Sequence, residues 1–305
     1  MILLASPGQG AQTPGFLQPW LEIPGVADRL AWWSAVTGLD LVRYGTTADA
    51  EEIRDTAIAQ PLLVAAALAA YEALYPGDAL PDVVAGHSVG ELSAAAIAGV
   101  LSPESALVLV RERGRAMAEA AAVTQTGMTA VLGGDPDEVL AAIDKHGLTP
   151  ANVNGAGQIV AAGTTEQLAA FAEEPPAGAR LRSLAVAGAF HTEHMTPAVD
   201  TLRRLTPGVR VADPRTRLLQ NRDGAAVGSG SDFVARIVEQ VSAPVRWDAC
   251  MQTMREDGVT AIIELPPAGT LTGLARRELK DIERVALKTP ADLDKARELI
   301  GAHTS

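Results

Sequence analysis

Asp82-Val83-Val84-Ala85-Gly86-His87-Ser88-Val89-Gly90-Glu91-Leu92-Ser93-Ala94-Ala95-Ala96-Ile97 is the stretch on which the fold turns. Residues 82–85 read as a short buried strand, and residues 92–100 read as an alanine-rich helix. Between them stands Gly-x-Ser-x-Gly, the pattern of a nucleophile elbow. Only glycine fits on either side of so tight a strand-to-helix turn, and the serine hydroxyl is held out at the strand's C-terminal end. The helix that follows points unpaired N–H groups and the positive end of its dipole at whatever is bonded to that oxygen. Ser88 is thereby the candidate nucleophile.

On either side of the elbow, short apolar runs alternate with long helical ones. Residues 1–5 read as a first buried strand, and helices are expected at 48–58, 60–74, 89–100 and 103–122. Ser102-Pro103-Glu104 supplies a capping hydroxyl, a proline at the first helical position and an acid in the first turn. Such alternation predicts a parallel sheet covered on both faces. From about Thr124 the order becomes strand 128–132, helix 135–145, strand 151–153, turn 154–157, strand 158–162, helix 165–173 and strand 179–184. That β-α-β-β-α-β order is the ferredoxin-like split pattern. After Gly188 the first pattern resumes, with helices expected at 196–205, 232–240, 247–257 and 271–280 and strands ending at 221 and 265. The expected fold is α/β: an α/β-hydrolase-like large subdomain with a parallel sheet (1–123 and 188–305) and an inserted ferredoxin-like small subdomain (124–187).

At 305 residues and 48% hydrophobic, the chain is long enough for one large core and a smaller unit. No run approaches the eighteen uncharged apolar residues of a membrane span, and the first residues lack the basic segment of a signal peptide. Cys250 is the sole cysteine, which excludes an internal disulfide and any cysteine-based metal site. A cytoplasmic enzyme, monomeric by default, is expected. The net charge of −12 argues against nucleic-acid binding, and an acidic protein partner would need a local basic patch.

A serine hydroxyl needs a neighbouring base. Of His87, His146, His191, His194 and His303, the first lies within the elbow, the second at a helix end and the last in the tail. His191 follows an apolar run where the chain re-enters the large subdomain, and His194 competes with it. Acyl transfer also requires donors for an oxyanion. The N–H of Val89 is one candidate, and the loop Ser6-Pro7-Gly8-Gln9-Gly10-Ala11-Gln12 offers others. Read alone, that loop is either a ligand-binding backbone or an ordinary strand-to-helix turn. On the helix 103–122, Arg113 shares a face with Ala106, Leu109, Val110 and Met117. An inward arginine needs an anion, either a substrate carboxylate or an internal acid.

Pro7-Gly8-Gln9-Gly10-Ala11-Gln12, Gly86-His87-Ser88-Val89-Gly90-Glu91, Arg113-Gly114, Ala189-Phe190-His191 and Gln240-Val241-Ser242-Ala243-Pro244-Val245-Arg246-Trp247 occur in that order. Together they resemble the malonyl-CoA:acyl carrier protein transacylases, over nearly the whole chain. The resemblance implies transfer of a malonyl group from malonyl-CoA to acyl carrier protein, for fatty acid or polyketide synthesis, through an ester on Ser88 with His191 as base. It implies that the main-chain carbonyl of Gln240 takes the imidazole N–H, with Asn221 in support. The N–H groups of Gln9 and Val89 would form the oxyanion hole, and Arg113 would grip the malonyl carboxylate. Phe190, just before the histidine, matches the family's mark of malonyl over methylmalonyl selection. No metal or cofactor is implied: the CoA thioester is substrate, and the phosphopantetheine belongs to the partner.

Two positions depart from the family pattern. Residue 188 is Gly where modular relatives often carry His, and Glu264-Leu265-Pro266-Pro267-Ala268-Gly269 replaces a usual Gly-Pro-Gly core. Arg180 and Arg182, or Arg276, Arg277 and Lys280, are candidate docking cations, although a solvated helix or strand face is the commoner reading of such residues. An esterase of the α/β-hydrolase or patatin kind shares the elbow pattern, and Asp135, Asp137, Asp144 or Glu166 would be its acid by chain order. A catalytically silent carrier-protein-binding subunit is the non-enzymatic alternative.

Overall fold

The strand Ile2–Ser6, buried at every position, runs through the middle of a six-stranded sheet. A strand covered on both faces must be apolar throughout rather than alternating, and Ile-Leu-Leu-Ala-Ser satisfies this. The computed structural model describes residues 1–77, 79–155 and 157–304. The strand order is Glu283–Ala286, Ala261–Glu264, Ile2–Ser6, Val83–Gly86, Arg217–Leu219 and Ala226–Val227. The first five run parallel, and the last is antiparallel to its neighbour. Side chains alternate between the faces. Ile2, Leu4, Val84 and Ile263 enter the main core beneath Thr56–Leu74 and Pro103–Ala121. Leu3, Ala5, Val83 and Ile262 enter a second core with Trp247, Met254 and Leu271.

Register places the site. Ser6 lies opposite Gly86 and Ala5 opposite Glu264. The glycine-rich loop after the first strand, the elbow and the loop 265–269 therefore leave the sheet side by side at its C-terminal edge, where open α/β sheets bind ligands.

The small sheet runs Ala179–Ser183, Thr126–Gly133, Gln158–Thr164, Thr149–Gly155, all antiparallel, and is the predicted ferredoxin-like unit. Pro136–Lys145 and Thr165–Glu173 cover one face through Val139, Ile143 and Phe171. On the opposite face, Met128, Ala130 and Val160 join the main core. A fifth strand, Val245–Arg246, pairs parallel with Asn152 and Val153 and ties the insert to the chain beyond it. The predicted turn at 154–157 includes Ala156, which lies outside the described residues.

Two local expectations need correction. The segment 48–58 is not a helix. Asp49 Oδ1 accepts the N–H groups of Glu51 and Glu52, and Asp55 accepts that of Ala57. Short acidic side chains that bond nearby N–H groups compete with the helical ladder. Only a 3-10 turn, Glu52–Arg54, forms before Asp55 caps the helix Thr56–Leu74. Val26–Thr37 and Leu41–Thr46 are helices that the pattern did not disclose. Thr56–Leu74 is long and apolar enough to cross a membrane, yet 72% of its most apolar window is buried inside the fold. Its hydropathy is that of a core helix.

Candidate active site

Ser88 sits at the elbow with φ of 52°, a left-handed backbone that side chains other than glycine seldom adopt. The flanking glycines are steric necessities. A Cβ on Gly86 would lie 2.0 Å from the Gly90 carbonyl carbon, and one on Gly90 would lie 2.2 Å from Ser6 O. Asn221 straps the turn from outside: its Oδ1 accepts the Ser88 N–H at 2.7 Å, and its Nδ2 donates to Gly86 O at 2.8 Å.

The Ser88 hydroxyl lies 2.8 Å from His191 Nε2, and His191 Nδ1 donates to Gln240 O at 2.7 Å. That carbonyl fixes the tautomer, because an acceptor at Nδ1 requires the proton there and leaves the Nε2 lone pair for the serine. His191 is 3% exposed and also has positive φ, 62°. Burial, aided by the charge of Arg113, pushes its imidazole down to about 3, so the resting group is neutral. His194 lies on the short turn Glu193–Met195, and His146 and His303 bond to carbonyls of their own helices. Among the described residues, Asp135, Asp137, Asp144 and Glu166 make no bond to His191; the position of a triad acid is held by Gln240 O.

Arg113 is 1% exposed, on the inward face expected for it. Its Nη1 donates to Gln60 Oε1 at 2.6 Å, and its Nη2 donates to Gln240 Oε1 at 2.9 Å and to Ser88 Oγ at 3.3 Å. Its Nε has no partner, and it forms no ion pair among the described residues. Burial lowers it to about 10, and it stays cationic. Gly114 permits this placement: a Cβ there would meet Thr56 O at 2.8 Å, so its absence lets the two long helices touch beside Gln60. Of the two sequence readings, no internal acid bonds the guanidinium: its partners are carboxamides and a hydroxyl, and buried Glu91 acts on it only as a nearby charge. A dry cation bonded only to neutral groups, with an idle N–H, has the chemistry to receive an anion.

Gly8 packs against His87 so closely that a Cβ would lie 2.9 Å from its ring and its carbonyl oxygen. The first loop is thus held on the elbow. Gln9 Nε2 anchors to Thr56 Oγ1, Gly10 N donates to Gln12 Oε1, and Gln12 Nε2 donates to Ile53 O. No acceptor among the described residues takes the backbone N–H of Gln9 or of Val89. A cleft of about 540 Å³ opens here between the two sheets, walled by Gln9, Arg54, His87, Asn154, Arg182 and Leu274 among others. His87 Nε2 lies 2.8 Å from Asn154 Oδ1, which joins elbow to small subdomain, and burial lowers its pKa and keeps it neutral.

Phe190, beside His191 in the chain, is buried in the main core; like Ser88, His191 and Arg113 it lies behind the residues that wall the cleft. Gly188 is dictated by packing, because a Cβ would lie 2.6 Å from that of Ala121 and leave no room for histidine. In the other departure, buried Glu264 accepts from the N–H groups of Gly269, Leu271 and Thr272, caps Thr270–Glu278 and sets Leu271 and Leu274 on the cleft wall.

Sequence reasoning gave no role to Gln60 or Glu91. Gln60 is a buried carboxamide in an otherwise apolar helical run, itself a signal. Glu91 was hidden because an acid in a helix's first turn is ordinary.

The family model of the acyl transferase domain matches residues 7–298. The malonyl CoA-acyl carrier protein transacylase of Mycobacterium tuberculosis is 53% identical over 302 residues, 98% of this chain and 100% of the relative. That of Escherichia coli is 33% identical over 96% of this chain and 97% of its own length. The crystal structure of the M. tuberculosis transacylase superposes with a TM-score of 0.93, covering 97% of this chain and 99% of the other. A malonyl-transacylase in complex with a type II polyketide synthase acyl-carrier protein superposes at 0.90, with 31% identity and the same coverage. With sequence and fold matched along almost its full length, this chain belongs to the malonyl CoA-acyl carrier protein transacylases of the acyl transferase domain family.

Proposed function

We propose that this protein moves a malonyl group from malonyl-CoA to the phosphopantetheine thiol of an acyl carrier protein, through an ester on Ser88. The observation that carries the reading is a buried guanidinium without an acidic partner, 3.3 Å from a serine hydroxyl that is itself 2.8 Å from a neutral imidazole. Nucleophile and carboxylate receptor are thus adjacent, as a short dicarboxylic acyl group requires.

Ser88 Oγ attacks the thioester carbon while His191 Nε2 takes its proton. The tetrahedral oxyanion is met by the N–H groups of Gln9 and Val89. Collapse breaks the carbon–sulfur bond, His191 returns the proton to the CoA thiolate, and the malonyl ester remains. The carrier protein's thiol then enters, His191 takes its proton, the new carbon–sulfur bond forms as the ester carbon–oxygen bond breaks, and His191 returns the proton to Ser88 Oγ. Thioester replaces thioester, so no step calls on a metal or a redox group. Arg113 holds the free carboxylate by charge-assisted bonds throughout. Phe190, the residue before His191 and buried in the main core, is assigned to malonyl over methylmalonyl selection. Arg182 and Arg54 at the cleft are without ion-pair partners among the described residues and suit an acidic carrier protein.

The test is a transfer assay with malonyl-CoA and holo carrier protein. Malonylated carrier protein is expected with wild type and not with Ser88→Ala. Free malonate as the main product, with the carrier left unloaded, would make the protein a hydrolase.

A further inference from the structure

Glu91 lies one helical turn past Ser88, is 1% exposed, and touches neither the hydroxyl nor the imidazole nor the guanidinium. One carboxylate oxygen accepts the backbone N–H of Asn221 at 2.5 Å, the other the side-chain Nε2 of Gln240 at 2.6 Å. Burial pushes its carboxyl up to about 8, opposed by the Asn221 N–H and by the nearby charge of Arg113. With an N–H donor on each oxygen, the ionised form is the one this geometry accommodates, an expensive arrangement that an apolar side chain would avoid. Its geometry has a consequence at Arg113. The Gln240 carboxamide has a donor end and an acceptor end. With Nε2 turned to Glu91, Asn221 Oδ1 and Ser88 O, its Oε1 must face Arg113 Nη2.

We infer that Glu91 is a positioning residue for recognition of the acyl carboxylate: it fixes which end of Gln240 faces Arg113 and so aims the guanidinium at the nucleophile. Both arms of residue 91 meet N–H donors, so only an acceptor-only group satisfies them. A carboxamide at 91 fails in either orientation, since its NH2 confronts the Asn221 N–H or Gln240 Nε2. Asn221 donates from the backbone and is held; the Gln240 side chain, whose other two Nε2 acceptors stand farther off at 3.2 and 3.3 Å, is the one that can turn. Turned, it presents a donor to a cation, and Arg113 loses one of its two carboxamide anchors. His191 is orientated by the main-chain carbonyl of Gln240, not by its side chain, so the base keeps its place. Glu91 therefore sets substrate preference rather than general reactivity.

The inference rests on the proposed malonyl transfer, and the experiment separates the two. The rates of Ser88 acylation by malonyl-CoA and by acetyl-CoA are measured on wild type, Glu91→Gln, Gln240→Leu and the double variant. Glu91→Gln, the same size as the native residue, is expected to lower the malonyl-to-acetyl ratio tenfold or more. Gln240→Leu is expected to lower it similarly, and the double variant no further than either single change, because one acts through the other. A ratio within twofold of wild type in Glu91→Gln, or multiplying effects in the double variant, overturns the inference. Should Glu91→Gln not accumulate folded, an unchanged ratio in Gln240→Leu overturns it equally. No malonyl adduct on wild-type Ser88 would instead defeat the proposed function.

Discussion

At Arg113 the proposed chemistry depends on a cation that the fold has buried and left without a bonded acid. Each hydrogen bond to a charged group contributes about 1.5–3 kcal/mol. Loss of two at a malonyl carboxylate, at the lower end of that range, corresponds to a ratio change on the order of 10²-fold. Arg113→Ala is accordingly expected to cut acylation by malonyl-CoA about a hundredfold relative to acetyl-CoA, read as rates of acyl-serine formation; an unchanged ratio would remove Arg113 from carboxylate binding. His191 gives a pH prediction. With its imidazole pushed down to about 3, chiefly by burial, the base stays unprotonated through the weakly acidic range. Acylation rates measured from pH 7.5 to 5.5 are expected to show no inflection near the ordinary histidine value of about 6.5; an inflection there contradicts the buried, neutral base. The same shift acts on stability. Below about 6.5 the unfolded chain binds a proton at this histidine that the folded protein refuses, so the contribution is present above that pH and is lost as pH falls toward 3. His191→Gln is expected to flatten that part of the urea-midpoint profile.

At the level of elements, the elbow is a packing solution as much as a catalytic one. Gly90 lies under the first strand, where a Cβ would come 2.2 Å from a backbone oxygen that cannot move aside, whereas Gly208 has nothing within 4 Å. Gly90→Ala is expected to cost more than ~3 kcal/mol and Gly208→Ala less than ~0.5 kcal/mol, measured by denaturant midpoints. Similar midpoints for the two would refute the packing account. How much was readable from the chain follows from locality. The strand-turn-helix at 82–97 and the split β-α-β-β-α-β order are written in contiguous residues and periodicity. Leu41–Thr46 is six residues long, too short for a periodic signal, and the acidic cluster at 49–55 imitates a helix while its side chains end one. The partners of Ser88 come from 103 and 133 residues away, so residue chemistry alone left His194 beside His191. Family motifs narrowed that choice. Gln60 and Glu91 acquire meaning only when helices from distant segments are laid together.

For the whole molecule, docking of an acidic carrier protein, as proposed, on a chain of net charge −12 requires a local basic patch, and the cleft offers one. Arg182 and Arg54 both line it, and exposed Arg276 and Arg277 follow on the helix whose Leu271 and Leu274 line it. Docking by such a patch predicts that Arg182→Glu raises KM for the carrier protein several-fold and leaves KM for malonyl-CoA nearly unchanged, with the difference shrinking as salt rises. Equal effects on both substrates would place Arg182 outside a carrier-specific surface. The acyl-serine itself offers the most direct test. Intact mass after brief exposure to malonyl-CoA is expected to show one added malonyl group on wild type, none on Ser88→Ala, and its disappearance when holo carrier protein is supplied. An unmodified wild-type chain that nonetheless loads the carrier, or an adduct that persists in Ser88→Ala, would contradict the covalent route on which the account depends.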